Sequence, residues 1–344
     1  MMPRVWWGML HFPLAGNAFR RTFVQLHRDS TVTRALHHPV IFHEDFAINP
    51  IQSGHRFPMG KDVMLYEALI AEGLAGNRVT PVPADQEALC LAHDPEYVGQ
   101  FISGGISDEA MKKIGLPWSC DLVKRTLIGV GSAIEAGRAA WENKTVAVMT
   151  NGGTHHASYG WSHGWCIFND QAVAARVMQR DHGVKNVLFV DLDVHFGDGT
   201  ADIFYFDDRV FTFSMHCEEQ PFPEIRTANN LDIGLRSGCT DDEYMAHLRP
   251  ALTEILNTYT FDLVFYNAGV DVHQDDSLGK MSLTDDGILQ RDSFVLESCA
   301  ERGIPVACAI GGGYHQTHLA NIVRRHLILH RVAARVVHRQ SRSV

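Results

Sequence analysis

The chain has 344 residues, 40 acidic and 30 basic side chains, a formal net charge of −10, and 45% hydrophobic against 20% charged residues. That balance is the composition of a soluble globular protein, and it argues against nucleic acid as a direct partner, because phosphate binding needs a basic face. No apolar run approaches the roughly 20 residues needed to cross a membrane, and seven scattered cysteines with no C-x-x-C pair point to a reducing intracellular compartment, the cytoplasm, rather than a disulfide framework.

Residues 1–38 hold five arginines and a single acid, Asp29. An Arg-rich, acid-poor start reads either as an organelle-targeting peptide or as an unstructured extension, and in both cases lies outside the folded domain. Residues 39–344 contain no repeat, low-complexity linker or composition break and are expected to form one domain. Strand signals fall at 145–150, 186–189, 261–267 and 305–310. Helical runs fall at 121–143, 170–181, 241–259, 283–302 and 315–338, several of them opened by the Asp or Thr that capping favours. This alternation predicts the α/β class: a three-layer α/β/α domain around a mainly parallel sheet. Gly129-Val130-Gly131 lacks the third glycine of a dinucleotide fingerprint and reads as helix packing.

Four of the strands end in polar residues beside glycines. The first runs into Asn151-Gly152-Gly153-Thr154-His155-His156, the third into Ala268-Gly269-Val270-Asp271, and the fourth into Gly311-Gly312-Gly313-Tyr314-His315. The second runs through Val190-Asp191-Leu192-Asp193-Val194-His195-Phe196-Gly197-Asp198-Gly199. Alternate side chains of an extended strand share a face, so Asp191, Asp193 and His195 are expected to project together at the strand's C-terminal end. Carboxylate oxygen and imidazole nitrogen are ligands that zinc accepts. Four strands ending this way predict one site along one edge of the sheet.

The segments GGTHHA, HGWCIFND, VDLDVHFGDGT, YNAGVD and GGGYH, in this order, resemble the motif set of the zinc-dependent histone deacetylase superfamily, which has the arginase/deacetylase fold. HRFPMGKD, DDEY and DSLGKMSLTDDGILQRD resemble its class IV branch and bacterial relatives most. The resemblance implies metal ligands Asp193, His195 and Asp271. It also implies two His–Asp dyads, His155 with Asp191 and His156 with Asp198. His156 is the candidate general base, His155 the partner that stabilises charge or protonates the leaving amine, and Tyr314 the oxyanion donor. Thr154 and Gly269 stand where two-metal relatives carry acids, so one catalytic ion is expected, zinc by default, with Fe(II) suited to the same ligands. A structural potassium ion would use Asp191, Asp193, His195, Ser214 and Met215.

The implied substrate path has Trp165 and Phe222 as walls, the Gly164 carbonyl as an acceptor for the substrate amide, and Leu278 facing the opening. Two positions depart from the family. Near Gly115 there is no acid to clamp a peptide backbone, and Lys61 replaces an arginine of the internal acetate-exit channel. The activity implied is hydrolysis of N-acyl-lysine amides in proteins or peptides. The alternatives are an amidohydrolase of acetylpolyamines or other acetylated small molecules, and a non-catalytic acyl-lysine binding module.

Overall fold

Short apolar runs rich in Val, Phe and Ala, each closed by a polar residue or glycine, build the sheet of this computed structural model, which describes residues 37–51, 54–315 and 318–342. The strands are β1 (Val40–Ile41), β2 (Arg78–Val79), β3 (Val146–Met149), β4 (Val187–Asp191), β5 (Val210–Cys217), β6 (Leu231–Leu235), β7 (Leu263–Asn267) and β8 (Val306–Ala309). The helices are α1 (Lys61–Ala71), α2 (Gln86–Leu89), α3 (Pro95–Ser103), α4 (Asp108–Ile114), α5 (Cys120–Asn143), α6 (Asp170–Asp181), α7 (Asp198–Phe204), α8 (Asp241–Thr258), α9 (Asp285–Ala300) and α10 (Leu319–Arg342). The eight strands form one sheet in the order β2-β1-β3-β8-β7-β4-β5-β6, and every pairing is parallel.

Both faces of the sheet are buried, and side chains alternate between two cores. Ala147, Met149, Phe189 and Phe265 face the core that α5 and α6 cover with Ala136, Ala140, Ala172 and Ala175. Val146, Val148, Leu188 and Val190 face the other, filled from α8, α9 and α10 by Leu248, Leu252, Val295 and Val332. The result is the three-layer α/β/α arrangement expected. Gly131 performs the packing role expected of it, because a Cβ there would collide with the Val82 carbonyl. Helix starts are fixed by side-chain caps: Ser119 and Asn169 accept from the Leu122 and Ala172 amides, and Thr284 from Gly287.

The last helix starts at Leu319, later than the expected 315. Residues 311–315 are drawn away from helical geometry by partners across the site: Tyr314 N–H donates to Asp276 at 2.7 Å, and its carbonyl accepts from Ser277 at 3.0 Å. The extension expected over 1–38 lies outside the described residues except for its end, where His38 is buried against His330. Among the described residues no helix is long and apolar enough to cross a membrane.

One surface ion-pair group ties this frame together. Asp207, between α7 and β5, accepts from Arg209 at 2.8 Å and also pairs with Arg176 of α6. The arginine hydrogen bonds hold its carboxyl well below the usual range against a smaller opposing effect of burial. Its contribution to stability is therefore present above the unfolded carboxylate pKa and is lost as pH falls through and below it. Asp207→Asn is expected to lower Tm at pH 7 by roughly 1–2 °C, a solvent-discounted loss of about 1 kcal/mol. Melting curves at pH 7 and pH 3 should show that gap narrowing in acid; an unchanged gap would remove the ionised pair as its source.

Candidate active site

Each group expected to do chemistry follows the C-terminal end of one of four strands that are neighbours in the sheet, β3-β8-β7-β4. Parallel open sheets bind ligands along that edge. The loop after β3 supplies His155 and His156, that after β4 Asp193 and His195, that after β7 Asp271, and that after β8 Tyr314.

The simple alternation expected for Asp191, Asp193 and His195 is not what brings them together. β4 ends at Asp191. Beyond it the chain turns on its own carboxylates: Asp193 N–H donates to Asp191 Oδ1 at 3.2 Å, and His195 N–H to Asp193 Oδ1 at 3.0 Å. Asp191 consequently turns to His155, while Asp193 and His195 turn to Asp271. His195 Nδ1 lies 3.0 Å from Asp193 Oδ1 and 3.2 Å from Asp271 Oδ2.

These three side chains suit a divalent cation. Their donor atoms lie within 4.8 Å of one another, and Asp271 Oδ2 is buried without a hydrogen bond. Burial, with Asp193 beside it, pushes the Asp271 carboxyl up to about 7. Two buried carboxylates this close resist ionising together without a cation. Glycines keep the space clear: a Cβ at Gly312 or Gly269 would collide with the oxygens of Asp193 and Asp271. An acid in place of Gly269, the second carboxylate of a two-metal site, has no room there.

The two dyads are formed at equal length. His155 Nδ1 donates to Asp191 Oδ2 at 2.6 Å, and His156 Nδ1 to Asp198 Oδ1 at 2.6 Å. All four residues are buried, yet the histidines titrate in opposite directions. Burial lowers His155, but Asp191 and Asp193 outweigh it and raise the imidazole to about 9. Burial and the neighbouring His155 charge lower His156 to about 3 against the pull of Asp198. At neutral pH one ring carries a proton to give and the other a free Nε2 lone pair.

Aromatic rings enclose this pair. Phe222 packs edge-on against His156, with centroids 4.8 Å apart, and Trp165 lies 5.4 Å from Tyr314. Gly164 leaves the gap between the Phe222 and His156 rings, since a Cβ would collide with both. Burial and the carboxylates of Asp193 and Asp271 push the Tyr314 phenol well above its usual range, so it stays a donor. Leu278 is half-buried, its carbonyl accepting from Gln220 at 2.9 Å. Ser214, the β5 residue in register with Asp191, bonds His216 through its hydroxyl at 3.1 Å.

A cavity of about 150 Å³ is lined by His155, His156, Trp165 and Tyr314 together with the apolar side chains of Met59, Leu116 and Ile167. Buried Lys61 donates to the Gly311 carbonyl at 2.8 Å at its floor, beside the Asp62–Arg125 pair.

Several residues take roles in the site that the sequence did not assign them. Fully buried Arg291 of α9 donates to the Leu192 and Gly269 carbonyls, clamping the chain beside two of the carboxylates. Its signal was an arginine in line with Ile288 and Val295 on the apolar stripe of a helix. Asp276 accepts from the amides of Leu278, Gly279 and Tyr314, and Asp170 from those of Gly153 and Thr154. His163 donates from Nε2 to Asp198 Oδ2 at 2.7 Å. Asp170 opens α6, and Asp276 and His163 sit in loops, where no spacing exposes the partners they take.

Residues 55–329 match the family described as the Histone deacetylase domain. The chain is 44% identical over 297 residues to an uncharacterized protein of Picosynechococcus sp., covering 86% of this chain and 98% of that one. It is 28% identical over 285 residues to Histone deacetylase clr6 of Schizosaccharomyces pombe, covering 75% of this chain and 65%, just under two thirds, of the yeast protein. Its fold is similar to that of the HDA15 HD domain, with a TM-score of 0.71, 20% identity, and coverage of 85% of this chain and 87% of the other. A similar likeness links it to an HDAC homolog complexed with SAHA, with a TM-score of 0.70, 22% identity, and coverage of 85% and 84%. With most of its length matched to the domain and the site built at the sheet edge, the chain belongs to the histone deacetylase family.

Proposed function

We propose that the protein hydrolyses the side-chain amide of N-acyl-lysine in proteins or peptides, with one divalent cation, zinc or Fe(II), held by Asp193, His195 and Asp271. The observation that carries this reading is the pair of buried His–Asp dyads, each closed at 2.6 Å, beside those three ligands. When bound, the cation would polarise the amide carbonyl and make water a better nucleophile near neutral pH. The protein's own groups do the rest. Neutral His156 takes the proton of the attacking water at Nε2, and Asp198 stabilises the charge this creates. Protonated His155 donates to the departing amine. The Tyr314 hydroxyl donates to the carbonyl oxygen as it gains charge. A potassium ion held by Asp191, Asp193, His195, Ser214 and Met215 belongs to the same reading, as does placement in class IV on the HRFPMGKD and GKMSLTDDG segments.

Trp165 and Phe222 suit the four methylenes of a lysine side chain whose charge the acyl group has removed. The Gly164 carbonyl would accept the substrate amide N–H, and Leu278 would face the tunnel mouth. The inner cavity, with Lys61 at its floor, has room for the acyl group and a cation for the carboxylate formed from it. A binding module would need neither dyad nor phenol.

An acetylpolyamine would bring ammonium groups to the mouth and require a free carboxylate there. Asp275 is paired with Arg325 at 2.6 Å, and Asp276 is taken up by three backbone amides. Acyl-lysine peptides are therefore expected to give kcat/KM at least about tenfold above acetylspermidine or acetylputrescine, reflecting the cost of desolvating an unpaired ammonium. Assaying both sets side by side with added zinc tests this, and a preference for the polyamines would overturn it.

A further inference from the structure

The two dyads differ in what holds the aspartate's other oxygen. Asp191 Oδ1 is fixed by groups that do not titrate, the Asn267 side-chain amide at 3.0 Å and the Asp193 N–H at 3.2 Å. Asp198 Oδ2 is held by a second imidazole, His163, at 2.7 Å. We propose that His163 is a positioning residue of the catalytic base, holding the Asp198 carboxylate so that its other oxygen stays aimed at His156 Nδ1. The inference rests on the reading of His156 as the base.

The local structure is built for this contact. Ser162 Oγ donates to the Cys166 carbonyl at 2.7 Å, Cys166 N–H donates to the His163 carbonyl at 3.0 Å, and Trp165 N–H donates to Ile114 at 2.7 Å. These bonds fix the turn that carries His163. Its ring then packs between Trp161 and Phe222, at centroid distances of 4.9 and 4.7 Å, and is left one way to face. Asp198 is buried, so its second oxygen would carry an uncompensated desolvation cost if left without a donor, and the carboxylate could rotate away from His156 to find one. His156 and His163 together keep the carboxyl at about 2, although burial acts to raise it. An ionised, fixed Asp198 is what the proton-accepting ring needs when it becomes charged.

The same ring touches the Phe222 wall, so a wall role must be separated from a donor role. His163→Phe keeps an aromatic ring between Trp161 and Phe222 and removes the N–H. His163→Gln restores a side-chain donor and loses the ring. In the metal-loaded full-length protein, His163→Phe is expected to lower kcat about 10–100-fold with KM and metal content unchanged, the usual effect of removing an outer hydrogen-bond partner. His163→Gln should stay within about threefold of wild type, as one side-chain N–H donor replaces another. Proton NMR of the far-downfield region gives a second readout without substrate. The resonance lost in His156→Ala should move or broaden in His163→Phe and persist in His163→Gln. The one lost in His155→Ala should stay in both. Wild-type kcat in His163→Phe, a rise in KM alone, or equal damage in His163→Gln and His163→Phe would overturn the proposal. If wild type hydrolysed no acyl-lysine peptide, the resonances would still decide whether His163 positions the Asp198–His156 pair, so failure of the functional reading is distinguishable from failure of this one.

Discussion

Alanine at Asp193 or at Asp271 is expected to abolish turnover and to leave purified protein with far less than one metal ion per chain. Loss of an outer partner of a metal ligand costs about 10–100-fold in affinity, and loss of a ligand itself exceeds that. The two variants should part company in stability. Asp193 also accepts from Gly312 N–H at 2.7 Å and from His195 N–H at 3.0 Å, so its removal strands buried backbone donors. Asp271 accepts from Val194 N–H at 3.0 Å, but it is the carboxyl pushed up to about 7 by burial and by Asp193. Metal-free Asp271→Asn removes that like-charge conflict and should melt no lower than metal-free wild type. Added zinc at 100 times its Kd would stabilise wild type by about 2.7 kcal/mol, and should stabilise either variant much less. Elemental analysis and melting curves with and without zinc read both effects. Full occupancy in both alanine variants would reject the ligand assignment.

The site was legible because its residues follow strands. A strand that ends in chemistry-bearing residues beside glycine is visible in one dimension, and four of them imply convergence before any topology is known. The adjacency of β3, β8, β7 and β4 supplies the rest. The alternation argument put Asp191, Asp193 and His195 on one face, but side-chain-to-backbone bonds end the strand where periodicity alone would continue it, so Asp191 turns to His155 and only the other two meet Asp271. Short strands such as β1 and β2, two residues each, have no periodicity to detect. Arg291 was hidden by distance: its partners Leu192 and Gly269 come from two other segments, and only the packing of α9 under both strands brings them within reach.

The largest kinetic effects short of losing the metal are expected at His156 and Tyr314, and they should differ in kind. His156→Ala removes the neutral lone pair and leaves Asp198 facing an empty space, with His163 as its remaining imidazole partner. The loss should be at least the roughly 10²–10⁴-fold that a positioned base supplies. His155→Ala should not mimic it in pH dependence, since His155, raised to about 9, is the ring that carries a proton at neutral pH. Tyr314→Phe removes one hydroxyl and little volume. The phenol is held protonated by burial and by the carboxylates of Asp193 and Asp271, so its contribution is a hydrogen bond that strengthens as the carbonyl oxygen gains charge. An interaction of that sort appears in kcat and in kcat/KM alike and barely in substrate binding. Tyr314→Phe is therefore expected to lower kcat by about 10²–10³-fold while KM and metal content stay near wild type. Steady-state kinetics on an acyl-lysine peptide, beside metal analysis of the same preparations, separate these outcomes. A Tyr314→Phe enzyme with wild-type kcat would take the phenol out of the mechanism and leave stabilisation of the carbonyl oxygen to the metal alone.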